Sequence, residues 1–201
     1  MNQKSEQMNV SVEGHVLIRA YASGADLKAK TNGKIVLNKR NAVHPEHASI
    51  LIARAIANRV NGSIYSMHFG TGGATVDPLG NITYATPNTT GAADLNNPVY
   101  FEVVDDNEGA PQGNQMAVRH INGTLFSDVE IRCVLDKNEP FGQPAFDNVG
   151  NINLNDSQFV FDEIGLKTED GLLVTHITFS PVEKTASRIL EIIYTLRISI
   201  N

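Results

Sequence analysis

The stretch SRILEIIYTLRISI, residues 187–200, alternates without a break. Leu190, Ile192, Tyr194, Leu196, Ile198 and Ile200 fall on one side, and Ile189, Glu191, Ile193, Thr195, Arg197 and Ser199 on the other. A period of two belongs to a strand with one face buried. A strand this long and this apolar has to be paired and covered, because an exposed apolar edge templates aggregation. Working outward, LLVTHITF (172–179), QFVFDEIGL (158–166), TLFSDVEIRCVLD (124–136), QMAVRHI (115–121), VYFEVVD (99–105) and IYSMHF (64–69) read as further strands. VSVEGHVLIRAY (10–21) is the first, with Val10, Val12, Val16, Ile18 and Ala20 on one face.

One segment has helical spacing instead. From Pro45, a residue favoured in a first helical turn, to about Val60, the side chains of Ala48, Leu51, Ile52, Ala55 and Ile56 form an i, i+3, i+4, i+7, i+8 stripe, and Gly62 is placed to end it. Ile50, Ala53, Ala57 and Val60 extend apolarity around the circumference, so the helix is expected to be nearly enclosed. Asn32-Gly33, between ADLKAK and KIVLNK, predicts a hairpin at 26–39 within a possible extension at 22–39. Many strands, one helix and long loops at 70–98 and 137–157 together predict a mainly β chain. The expected architecture is a single antiparallel β-sandwich or barrel-like domain over 1–201, with one packed helix at about 45–60. Loops of that length are usually functional or ordered by partners.

Composition narrows the function classes. Sixteen basic residues against 22 acidic ones leave a formal charge of −6, and no basic stripe offers itself to phosphates, so nucleic acid is not an expected partner. No apolar run approaches the ~18 residues of a membrane span, and no secretory leader is read at the start. The lone Cys133 shares a face with Val129, Ile131 and Leu135, which makes it a buried small hydrophobe in a reducing compartment.

GTGG at 70–73 follows a strand, but no Gly-Lys-Ser/Thr comes after it, so a turn doubling back on the sheet explains it better than a phosphate loop. His44 and His47 have a spacing that could present two imidazoles to zinc, yet no further ligand is fixed by the pattern. His44 is assigned to the start of the helix and His47 to a polar surface, while His120 and His176 are assigned hydrogen-bonded places in strands. Asp105, Asp106 and Glu108 cluster in an oxygen-rich loop without the spacing of a calcium loop. Asp162 and Glu163 are neighbours in a strand, hence expected on opposite faces and not as an acid/base pair. With no Gly-x-Ser-x-Gly elbow either, no catalytic, cofactor-binding or metal residue is assigned and no enzyme activity is expected.

The segment NKRNAVHPEHASILIARAIANRVNGSIYSMHFGTGGATVDPLGNITYATPN (38–88) resembles virion structural proteins of contractile-tailed bacteriophages, in which a strand, an NA(I/V)H lead-in, an Ala-rich helix and an FG(N/T)GG turn recur. FVFDEIGL (159–166) and LLVTHITFSPVEKTASRILEIIYTLRI (172–198) resemble the C-terminal part of the same proteins. The resemblance covers about 12–200, departs from the family over 22–34, and carries architectural motifs only. It implies a component of the virion, made in the host cytoplasm, that assembles as a homo-oligomeric ring or collar in the neck or tail region with itself and other virion proteins. The alternatives are a capsid-decorating protein and a tail-associated receptor- or glycan-binding module. A glycan-binding module is the weaker of these, because the chain has no Trp and only five Tyr to serve as stacking platforms.

Removing the chain from Ser187 onward deletes six alternating apolar side chains and unpairs a neighbouring strand. The expected outcome is an aggregating product, read as loss of soluble protein after centrifugation; a soluble, cooperatively melting truncation would contradict it.

Overall fold

The computed structural model describes residues 9–104, 115–137, 139 and 159–200. Their elements are, in order, β1 (Val10–Tyr21), α1 (Gly24–Ala29), β2 (Lys34–Val43), α2 (Pro45–Ile56), β3 (Ser66–Gly70), β4 (Ala74–Val76), β5 (Ile82–Tyr84), β6 (Pro98–Val103), β7 (Gln115–Asn122), β8 (Phe126–Leu135), β9 (Phe159–Lys167), β10 (Leu173–Lys184) and β11 (Ile189–Ile200). Nine strands form one curled antiparallel sheet, a half-barrel, in the order β6-β3-β9-β10-β2-β1-β11-β8-β7; β4 and β5 make a separate hairpin.

The terminal alternation sets the centre of this sheet. β11 pairs along its whole length with β1, from Val10↔Ile200 to Tyr21↔Ile189, and on its other edge with β8, from Leu190↔Leu135 to Ser199↔Phe126. Leu190, Ile192, Tyr194 and Leu196 therefore share an interior with Val16 and Ile18 of β1 and with Ile131, Cys133 and Leu135 of β8. Cys133 is fully buried, as its face in the strand requires. β2 joins the two halves of the sheet, since Lys34–Asn41 pair with β1 while Ala42 and Val43 pair with β10. Beyond it, Phe69, Phe161 and Phe179 meet edge to face at 5.2–5.9 Å, an arrangement that suits the ring quadrupoles.

Two sequence expectations fail here for local reasons. The hairpin at 26–39 is not formed, because ADLKAK is helical. The Ser23 side chain accepts from the Asp26 N–H, and Lys30, at φ 56°, closes the C-terminal end on the carbonyls of Asp26 and Leu27. Ala, Leu and Lys are strong helix formers, and both ends are capped, so even six residues hold this conformation. Asn32 alone takes a positive φ, whereas the expected turn needs one at Gly33 as well. Helix α1 covers the outward side of β11, which explains why Ile189 and Glu191 are buried although they lie opposite the core face. Glu191 there accepts from Lys30, from Arg132 (2.6 Å) and from the Tyr21 hydroxyl (3.1 Å).

The second failure concerns α2. It stops at Ile56, where Asn58 (φ 50°) and the bonds Asn58 N–H to Ala55 O and Arg59 N–H to Arg54 O terminate it as a Schellman turn. It is also not enclosed. Only His47 and Ala48 are buried, Leu51 and Ile52 are half-covered, and Ile56 is 83% exposed. The helix meets the sheet on β10 and Leu51 reaches the core only in part, so the apolar stripe outlasts the surface that covers it.

Ile192→Ala should consequently cost about 2–5 kcal/mol in chemical denaturation, as buried large-to-small changes do, while Ile56→Ala should cost under about 0.5 kcal/mol. Equal losses at the two positions would contradict this placement.

Candidate functional site

The segment between β3 and β6, residues 71–97, is rich in polar residues and lies over the outer side of β9 and β10. It has little apolar surface of its own to bury, so side chains from the sheet hold it. Asp162 accepts from the N–H groups of Gly73 (2.6 Å) and Ala74 (3.1 Å). Glu163 accepts from Gly72 N–H (3.2 Å), Asn96 N–H (3.0 Å), Asn96 Nδ2 (3.0 Å), Asn97 N–H (2.8 Å) and His176 Nε2 (2.9 Å). The Thr178 hydroxyl donates to Ala85 O at 2.8 Å, and Lys167 pairs with Asp94 at 2.5 Å.

Asp162 and Glu163 thus converge on one turn, against the expectation of opposite faces. Phe159 and Phe161 point into the core, and so do Ile164 and Leu166, which means the alternation of β9 slips by one between Phe161 and Ile164. The pairing with β10 shifts at the same place, between Thr178 and Val182. A bulge of this kind re-aims side chains, and here it turns both carboxylates toward the loop.

The glycines of GTGG are required by close approach. A Cβ on Gly73 would lie 2.2 Å from the Asp162 carbonyl oxygen, one on Gly72 2.6 Å from Asn96 Cβ, and one on Gly70 2.3 Å from Glu163 Oε1. The turn doubles back on the sheet, as read from the sequence, and its backbone N–H groups meet protein carboxylates.

The histidines fall into place around the same segment. His176 Nδ1 accepts from Asn88 N–H (2.8 Å), so its proton sits on Nε2 and is donated to Glu163. His44 caps α2, its Nδ1 accepting from His47 N–H (3.3 Å), while its Nε2 donates to Gly91 O (3.1 Å). His47 is not on a polar surface: it is buried, stacked on His44 at 3.6 Å between ring centroids, and donates from Nδ1 to Leu173 O (2.8 Å). The i, i+3 spacing and the shared N-terminal turn bring the two rings face to face. His120 lies exposed on β7, apart from this network. Among the described residues, no group of three or more His, Cys, Asp or Glu side chains is arranged to hold a metal ion, and no helix is long and apolar enough to cross a membrane. Asp105, Asp106 and Glu108, and nearly all of the loop at 137–157, lie outside the described residues.

The electrostatics separate the two carboxylates. Burial lifts Asp162 above its ordinary value despite the N–H groups of Gly73 and Ala74, and the neighbouring Glu163 adds to the rise. Burial also works to raise Glu163, but the bonds from His176, Asn97 and Asn96 outweigh it and hold Glu163 below its ordinary value. With its oxygens occupied by five donors and its side chain fully buried, Glu163 acts as a fastener for the loop. Another buried acid, Glu102 in β6, accepts from the Tyr100 hydroxyl and is pushed up to about 8 by burial, so it is mostly neutral at pH 7. Sequence reading missed Asn88, Asn96 and Asn97, because loop asparagines have no periodicity; the only hint was the glycine run, which signals that some backbone comes close.

No protein-family model matches the chain, and no curated protein or solved structure does so either.

Glu163→Gln replaces an acceptor-only group by one carrying two N–H donors, and at pH 7 it should cost about 3 kcal/mol. The pH dependence has a definite sign. The stabilisation from Glu163 is complete above 4.5, its unfolded value, and is lost as pH falls through its lower folded value. Asp162, whose folded value lies above 3.8, works in the opposite direction and regains stability when it is protonated. Urea denaturation from pH 7 to pH 3 should therefore show a shallower acid-side decline in Glu163→Gln than in the wild type. An unchanged slope would contradict this role.

Proposed function

We propose that this chain is a structural component of a contractile-tailed bacteriophage particle, assembling as a homo-oligomeric ring or collar in the neck or tail region. The observation that carries the reading is that the stretches resembling such proteins, NAVH at 41–44 and FGTGG at 69–73, are joints of the architecture. Asn41 reaches Tyr194, Ala42 and Val43 pair with β10, His44 caps α2 and ties down Gly91, and the glycines seat the loop on Asp162 and Glu163. These joints tether a polar segment that nonetheless turns apolar side chains outward. Leu79 is 89% exposed, and Val76, Ile82 and Tyr84 are exposed beside it. Apolar groups displayed in water suit a surface that is covered on assembly.

On this reading the partners are further copies of the chain and other virion proteins, and the place of assembly is the host cytoplasm. Sedimentation of the purified chain combined with immunogold labelling of intact particles tests it. The expected result is a discrete oligomer and label confined to the neck or tail. Label spread over the head would favour the capsid-decorating alternative, while a monomer at high concentration together with unlabelled particles would overturn the proposal.

A further inference from the structure

The joints that fasten segment 71–97 are of two chemical kinds. Near its ends they are carboxylates: Asp162 accepts from the N–H groups of Gly73 and Ala74, and Glu163 from those of Gly72, Asn96 and Asn97. In the middle they are imidazoles. His176 accepts from Asn88 N–H through Nδ1, and His44 donates from Nε2 to Gly91 O while its Nδ1 caps α2. His47 is stacked on His44, and His68 stands across Gly165 from His176, where a Cβ on that glycine would lie 2.6 Å from Leu95 Cδ1. Four of the six histidines of the chain therefore gather where this one segment meets the sheet.

The two kinds of joint answer acid differently. A carboxylate accepts as long as it is ionised, and the hold of Glu163 is complete above 4.5. An imidazole that accepts through one nitrogen and donates through the other has to be neutral, and a proton on the accepting nitrogen sets two donors against each other. In His176 that nitrogen faces Asn88 N–H at 2.8 Å, whereas Nε2 already carries the proton given to Glu163. A second proton thus spares the bond to the sheet and breaks the one to the loop. In His44 the accepting nitrogen faces His47 N–H at 3.3 Å, the bond that caps α2. His68 stands apart, because burial and Lys167 push it down to about 4.

The charges around these rings leave that conflict in place. Glu163 and the adjacent Asp162 face them from β9, but Glu163 meets His176 at Nε2 only. Glu46 on α2, Asp94 in the segment and Asp170 in the β9–β10 turn line an open depression with His47, where Lys167 pairs with Asp94 and Arg54 with Asp170. Lys39 reaches across from β2 to Thr178 O, two residues along β10 from His176. The accepting nitrogens of His176 and His44 are each occupied by a backbone N–H.

We propose that the middle of the segment, residues 86–91, is an acid-opened clasp: protonation of His176 and His44 frees Asn88 from β10 and loosens the start of α2, while the carboxylate joints at 72–74 and 96–97 stay closed. The β4–β5 hairpin lies between the joint at Gly73 and Ala74 and this clasp. Opening leaves its second leg on the bonds of Tyr84 to Ser180 and of Ala85 to Thr178, so the direction in which Leu79 is displayed becomes sensitive to pH. The clasp does not depend on the particle reading above.

Hydrogen exchange of the full chain tests it, followed amide by amide by NMR from pH 7.5 to pH 5.0 and corrected for the intrinsic rate at each pH. Opening gains about tenfold per pH unit for each proton it takes up, so at Asn88 and at His47 it should rise by more than about tenfold over this range. At Gly72, Asn96 and Asn97 it should change by less than about threefold, since Glu163 stays ionised. Two variants without the titrating ring separate the joints. His176→Gln should remove the pH dependence at Asn88 and keep it at His47, and His44→Asn, which retains a capping side chain, should do the reverse. If a variant fails to fold, the wild-type profile still decides. Equal pH dependence at Asn88 and Gly72 would overturn the clasp, as would loss of protection across the whole sheet in this range or an Asn88 profile that His176→Gln leaves unchanged.

Discussion

Everything in this fold depends on the pairing of the first strand with the last. β1 and β11 lie side by side over twelve residues each, and β8 on the far edge of β11 and β2 on the far edge of β1 take their registers from that pair. Because side chains alternate with a period of two, a slip of β11 by one residue against β1 would send Leu190, Ile192, Tyr194 and Leu196 outward while Val16 and Ile18 stayed inside, so burial of one face enforces the register. The contact joins the two ends of the sequence. Its loop-closure entropy has to be overcome before the core can reward it, a non-local topology of the kind that slows folding.

A second constraint governs what the molecule presents to its surroundings. A polar segment of nearly thirty residues, in which Leu95 is the buried large apolar side chain, is held chiefly by buried carboxylates and imidazoles through backbone N–H and C=O groups. The arrangement meets the requirement that buried polar groups find partners, and it fastens to the sheet the loop that displays Leu79 and its neighbours. Glu191 does the same at the other end of the sheet, where Lys30 and Arg132 tie α1 down across the outer face of β11. In both places a buried acid fastens an irregular element to a regular one.

Long alternating strands were legible in the sequence and the short helix α1 was not. The strands at 10–21, 115–122, 159–167 and 189–200 stand where alternation places them, and the burial of Cys133 follows from its neighbours. ADLKAK, by contrast, carries too few residues to show a period, and its caps at Ser23 and Lys30 overrode the Asn-Gly signal. For α2 the stripe was correctly read as apolar, but apolarity states only that a face prefers to be covered. Which element covers it depends on where the helix axis points relative to β10.

By itself, then, the sequence determined the class of fold, the long strands and, in β1, β8 and β11, which side faces inward, because those follow from a local period acting on nearest neighbours. Tertiary structure alone decided that Asp162 and Glu163 share one turn, that His47 is stacked and buried, and that half of α2 stays in solvent. Those outcomes hinge on a bulge, on a chain reversal and on the direction of a helix, each set by contacts between residues tens of positions apart, where no local pattern reaches.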